Sequence, residues 1–167
     1  MGYHEHKHQS PANTTCAVII ISGSRNKQND ESGKLIAQLL KNDDHRVSSL
    51  SILKNDAEAI INKVSCLLED ENVQVIITSG GTGASNLDIT VETITPLLDK
   101  RLDGFGELFR LLTYQEIGSG SIMSRAMAGV VKGRAIICLP GSVDAVRLAM
   151  EKIILPEIGH LVREASR

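Results

Sequence analysis

At 167 residues, with 42% hydrophobic and 23% charged side chains, the chain is long enough for one domain to bury a core without disulfide staples. A formal net charge of −2 gives no electrostatic footprint for nucleic acid. No apolar run approaches the roughly 20 residues that span a bilayer, and the polar N-terminus is unlike a signal peptide. Cys16, Cys66 and Cys138 lie far apart without a CxxC pair, which argues against a disulfide framework or a zinc site and for a reducing, cytoplasmic setting.

The first fifteen residues, "MGYHEHKHQSPANTT", read as a flexible, solvated tail ahead of a single domain over 16–167. His4, His6 and His8 alternate and can face a metal together, but nothing nearby would hold them in fixed geometry. "CAVIIIS" (16–22) is a continuous apolar run ended by turn residues, as expected of a strand buried on both faces. Leu35, Ile36, Leu39 and Leu40 then form one helical stripe. "RVSSLSIL" (46–53) alternates and predicts a strand nearer an edge. Ile60, Ile61, Val64, Leu67 and Leu68 repeat at helical spacing, with Asn55 and Glu58 placed as a capping pair. "VQVIITSG" predicts a third strand and "RAIICLPG" a later one. A closing helix runs from Val143 through Val146, Met150, Ile153 and Ile154, with Pro156 positioned to bend or restart it. Strands alternating with helices at this spacing predict an α/β fold, a mostly parallel sheet with helices on both faces. Ligands of such sheets bind outside the carboxyl ends of the strands.

Two loops fall at those ends. Ser79, Gly80, Gly81, Thr82 and Gly83 follow the third strand, and Pro140, Gly141 and Ser142 follow the later one. Three glycines interleaved with hydroxyls leave backbone N–H groups open to an anion. The pattern is neither GxGxxG nor GxxxxGK[ST], so the common dinucleotide and P-loop classes do not apply. Asp88, in "LDIT", follows closely enough to share the pocket. It suits either a magnesium ligand or the N-cap of a helix beginning near Ile89.

The ordered set "TSGGTGASNLDIT", "PLLDKRLDGFGELFRLLTYQEIGSGSIMSRAMAGV" and "ICLPGSVDAV" closely resembles the MoaB and Mog proteins of molybdenum cofactor biosynthesis, from near Val18 almost to the C-terminus. The segment around "GFGELFR" is more similar to the MoaB branch. The resemblance implies a three-layer α/β/α fold and a homo-oligomer, a trimer or a dimer of trimers (a hexamer). It implies adenylylation of molybdopterin with magnesium and ATP before metal insertion, and contact with the molybdenum-insertion enzyme of the pathway. A molybdopterin-binding or scaffold protein without turnover is the alternative.

On the same resemblance, Asp56, Asp88 and Ser124 are the catalytic candidates, Asp88 the metal ligand, and the two glycine-containing loops the nucleotide and cofactor contacts. Each also has a plainer reading: Asp56 as a first-turn acid complementing a helix dipole, Ser124 at a helix N-terminus, Ser142 as a cap. Arg125 is either a phosphate contact or a solvated arginine. Asp30, Ser32 and Gly33, placed with the first strand, match a "DxSG" element as readily structural as functional. Three positions depart from the family pattern: Gly23 for an acid, Asn55 for a proline, and Leu87 for an arginine whose loss would weaken phosphate binding. Phe105, Phe109 and Tyr114 cluster in a chain of four aromatics, which suits a core patch, a subunit interface or a platform for a flat pterin. Glu107 between them faces elsewhere on a helix.

Overall fold

The computed structural model describes residues 10–167. The histidines at 4, 6 and 8, and with them the expectation about metal, lie outside the described residues. The elements in chain order are β1 (Thr15–Ile21), α1 (Glu31–Asn42), β2 (Arg46–Leu53), α2 (Ala57–Glu69), β3 (Val75–Ser79), α3 (Thr90–Ile94), β4 (Lys100–Arg101), α4 (Asp103–Ile117), β5 (Met127–Val131), β6 (Arg134–Leu139), α5 (Val143–Ala149) and α6 (Leu155–Ala165). They form a three-layer α/β/α sandwich around one six-stranded sheet of order β2-β1-β3-β6-β5-β4. The four strands from β2 to β6 run parallel; β5 and β4 are antiparallel additions at one edge.

The unbroken apolar run of β1 is explained by its place inside the sheet, between β2 and β3, with both faces covered. Cys16, Val18 and Ile20 face the layer built by α1, α4, α5 and α6; Ala17, Ile19 and Ile21 face α2 and Ile94 of α3. The alternating β2 lies at the sheet edge, as its pattern predicted. Thr14 and Thr15, counted with the tail by sequence, belong to the fold. Thr14 is buried and its N–H donates to His45 Nδ1 at 3.1 Å, while Thr15 opens β1.

Three local details differ from the sequence reading. Asp56, not Asn55, caps α2, its carboxylate accepting from the Ala59 N–H at 2.7 Å. Asp30, Ser32 and Gly33 stand at the start of α1, where buried Asp30 caps the helix through the Gly33 N–H at 2.9 Å. The closing helix is two helices joined by a π turn, Met150–Ile154. Pro156, which has no N–H to donate, sits in the first turn of α6.

Candidate active site

Two loops leave the carboxyl ends of adjacent parallel strands, β3 and β6, and meet over a cleft of about 580 Å³. After β3 the chain must turn at once, and it does so with Gly80 at φ 104° and Gly81 at φ 65°. A β-carbon on Gly80 would strike the Ile21 carbonyl, and one on Gly81 would strike Thr90 Oγ1 and lie 2.9 Å from Asn55 Oδ1. Glycine is therefore required twice, once for conformation and once for room. Thr90 fastens the turn from behind: its hydroxyl donates to the Gly80 carbonyl and its N–H to the Gly81 carbonyl, both at 2.9 Å.

Asp88 is half-buried and lines the cleft. It does not cap α3, whose N-cap is Ile89 without a side-chain bond. Instead its Oδ2 accepts from the Ser85 N–H at 3.2 Å and the Ser85 hydroxyl at 2.8 Å, closing a turn beside Gly83. These two bonds use one carboxylate oxygen.

The second loop is held by an arginine that the sequence reading passed over. Arg25 Nη2 donates to the Gly141 carbonyl at 2.7 Å and its Nη1 to Ser32 Oγ at 2.9 Å, while Ser32 Oγ itself donates to the Gly141 carbonyl at 2.8 Å. Ser79 Oγ donates to the Pro140 carbonyl at 3.0 Å, tying the two loops together. Ser142 caps α5 as expected, accepting from the Ala145 N–H at 3.4 Å. Of the residues lining the cleft, Arg25 and Asp88 carry the charge.

Ser124 lines the same cleft, at the end of the 3₁₀ segment Gly118–Met123 rather than on a helix N-terminus. Its buried Oγ has no hydrogen-bond partner, and neither has Asn55 Oδ1 on the facing side. Buried polar atoms are almost always paired, and two of the five unpartnered buried side-chain atoms among the described residues belong to residues that line this cleft. Arg125 is spent elsewhere. It donates in a fork to the Glu92 carboxylate and through Nε to the Thr82 carbonyl at 3.0 Å, which fixes the first loop. The Arg125 hydrogen bond holds the Glu92 carboxyl below its usual range.

The structure thus gathers Ser79 to Gly83, Asp88, Ser124 and Pro140 to Ser142 on or beside one cleft. It does not bring Asp56 into the lining; exposed Asp56 caps α2 and its neighbour Asn55 reaches the cleft instead. Phe105 and Phe109 stack at 6.4 Å and 5°, with Phe109 almost wholly in the core. Tyr114 is 59% exposed and is not part of that stack; Leu108, Leu111, Ile117, Ile122 and Met123 are exposed as well. Glu107 is exposed.

Residues 17–160 match the family described as "Probable molybdopterin binding domain". The chain is 44% identical over 168 residues to molybdenum cofactor biosynthesis protein B of Bacillus cereus, covering all of this chain and 99% of the relative, with the same figures for the Bacillus subtilis protein. A crystal structure of a molybdenum cofactor biosynthesis protein B superposes with a TM-score of 0.90 at 44% identity, covering 94% of this chain and 98% of that one. The tungsten cofactor synthesizing protein MoaB from Pyrococcus furiosus superposes at 0.86 with 34% identity, covering 95% and 100%.

Proposed function

The chain belongs to the molybdopterin-binding family, as a MoaB-type protein of molybdenum cofactor biosynthesis, and from that premise we propose that it adenylylates molybdopterin with magnesium and ATP. The observation that carries this reading is the pair of unpartnered buried oxygens, Ser124 Oγ and Asn55 Oδ1, on a cleft framed by two loops at strand ends. The reaction brings two phosphorylated molecules together. A phosphate oxygen of molybdopterin attacks the α-phosphorus of ATP, the bond to the β-phosphate breaks, and pyrophosphate leaves.

Positioning and charge relief do most of such work. The glycine loop offers phosphate its amides beyond Gly80, whose own N–H is bound to the Leu139 carbonyl at 2.9 Å, with Arg125 and Thr90 fixing the loop's carbonyls so that those amides need not reorganise. Arg25 and Ser32 do the same for the second loop through the Gly141 carbonyl. Ser124 Oγ supplies a hydroxyl that can orient a phosphate oxygen. Asp88 presents a carboxylate oxygen not used by Ser85. Among the described residues no group of three or more acid, histidine or cysteine side chains converges. One carboxylate fits magnesium, which is commonly held by one or two carboxylates with substrate phosphates and water. When bound there, magnesium neutralises charge developing on the phosphates. Asp56 enters this scheme as the cap that seats Asn55 at the cleft.

We also assign the chain to a homo-oligomer, a trimer or hexamer, in the cytoplasm, working beside the metal-insertion enzyme of the pathway. The apolar side chains of Leu108, Leu111, Tyr114 and Ile117 on α4 and of Ile122 and Met123 on the 3₁₀ segment are each exposed, and Ile117 and Met123 also line the cleft. A partner subunit over the last two would bury them beside the site. No helix among the described residues is long and apolar enough to cross a membrane.

The test incubates the pure protein and an Asp88→Asn variant with molybdopterin, magnesium and ATP, and measures adenylylated pterin. Turnover by the wild type and a loss of about 10²–10³ in the variant are expected. Absence of product from both proteins favours the carrier, and equal turnover removes Asp88 from the mechanism.

A further inference from the structure

The cleft does not end at Gly23. Beyond it a second cavity of about 320 Å³ opens over the carboxyl ends of β1 and β2, and Ser22, Gly23 and Arg25 border both spaces. Its other charged walls are Lys27 and Lys54, over a floor of Ile52 and Leu53. At this shared border a β-carbon on Gly23 would meet nothing within 4 Å. The wall is pinned in place: the Ser22 N–H donates to the Leu53 carbonyl at 2.8 Å, and Ser22 Oγ accepts from the Arg25 N–H at 3.2 Å.

No carboxylate lines this second cavity. Lys27 and Lys54 are exposed and pair with no acid among the described residues. Arg25 has an acid nearby, Asp30 at 3.9 Å, but that carboxylate is buried behind it and capping α1. In a chain of net charge −2, three cations around one open space are a local excess and not a sample of a basic surface. The neighbouring cleft contributes a single carboxylate, Asp88, to the combined lining. A low-dielectric floor beneath same-sign charges focuses the field outward and draws in an anion.

We propose that Arg25, Lys27 and Lys54 form an oligophosphate subsite continuous with the nucleotide cleft, which takes the two terminal phosphates of ATP and the pyrophosphate cleaved from it. The subsite rests on the adenylylation reading for its source of pyrophosphate. The cavity's lining stands independently as a place for a polyanion. The guanidinium of Arg25, anchored on Gly141 and Ser32, sits at the boundary between the two spaces, where a bridging phosphate oxygen would lie. Two lysines on mobile stems beyond it suit a leaving group that must depart: they attract charge without the fixed fork that would retain it.

The test is calorimetric titration of pyrophosphate, ATP and AMP, at one fixed low salt concentration, into the wild type and a Lys27→Gln/Lys54→Gln double variant. Both side chains are exposed, so the variant is expected to keep its fold, which circular dichroism verifies. Pyrophosphate and ATP affinities are expected to fall about tenfold or more, the scale of losing surface-charge attraction from two lysines, while AMP affinity stays unchanged. Loss for pyrophosphate and ATP together identifies the nucleotide's own tail as a ligand, and loss for pyrophosphate alone identifies the released product. Unchanged pyrophosphate affinity, or no pyrophosphate binding by the wild type, overturns the subsite; so does an equal loss of AMP, because the lysines would then act on the whole cleft. If neither protein binds AMP or ATP, the adenylylation reading fails, and a pyrophosphate affinity that depends on the lysines would still identify the anion site.

Discussion

Replacing Gly81 with alanine tests whether the glycine loop is a fixed device or a slack turn. The substitution adds one carbon. At φ 65° an L-residue is strained, which costs about 1–2 kcal/mol. The new carbon also overlaps Thr90 Oγ1 and crowds Asn55 Oδ1 at 2.9 Å. Thr90 can retreat only by giving up its hydrogen bond to the Gly80 carbonyl, in a buried place. Leaving such groups unpaired costs about 1–3 kcal/mol. The two contributions sum to about 2–5 kcal/mol, a large share of a domain's stability. Valine would be worse, so alanine is the informative change. Urea unfolding, read as a shift in midpoint at constant slope, measures the loss. Gly23→Ala is the matched control, because the same carbon there meets open space, and it should stay within about 0.5 kcal/mol of wild type. A Gly81→Ala protein as stable as the control would refute the claim that the turn is sterically determined. ATP affinity should fall with stability in Gly81→Ala.

Ser124→Ala removes a buried hydroxyl that has no partner, so stability should hold or rise slightly while adenylylation drops; a large loss of stability would show that the hydroxyl is already satisfied. Glu92→Gln probes the clamp on the first loop. Arg125 depresses the carboxyl's folded pKa, so the pair contributes stability above the unfolded carboxylate's pKa and loses it as pH falls through the folded one. Glu92 is 55% exposed, and the contribution should be below about 1 kcal/mol; a pH dependence of urea midpoints identical in wild type and variant would remove it altogether. Thiol labelling should find one fast cysteine, exposed Cys66. Burial pushes Cys16 up to about 11 and Cys138 up to about 12, so these two should react only on unfolding, and early labelling of either would contradict their placement in the core.

Three of the parallel strands, β1, β3 and β6, were legible because each is an apolar run followed directly by a turn, and β2 with its edge position because its polar residues alternate. The antiparallel edge was missed for a local reason. β5 and β6 are joined by Lys132 and Gly133, both at positive φ, a two-residue hairpin turn that usually advertises itself as Asn-Gly or Asp-Gly. Lysine at the first position hides that signal, and the Lys132 N–H bond to Asp99 at 2.7 Å, which supports the turn, is visible only in three dimensions. The caps were misjudged by a single residue. Asn55 and Asp56 are both good caps, and only the fold reveals that Asp56 holds the helix while Asn55 is released to the cleft. Arg25 gave no sequence signal, since its partners are seven and 116 residues away.

That arginine changes the weight of the departure at Leu87. Read along the chain, a leucine in place of an arginine beside Asp88 removes a cation from the phosphates and weakens the case for catalysis. In the structure Leu87 is 74% exposed and does not line the cleft, whereas Arg25 does. Charge complementarity in a narrow cleft depends on distance to the ligand and not on which loop delivers the charge. The lining of the cleft and of the neighbouring cavity therefore includes one carboxylate, Asp88, and three cations, Arg25, Lys27 and Lys54. On the proposed adenylylation, a phosphate chain in this cleft would have both kinds of charge within its lining. On the same reading, Arg25 is a cation that the cleft has despite Leu87, and the residues whose substitution tests turnover are Arg25 and Asp88.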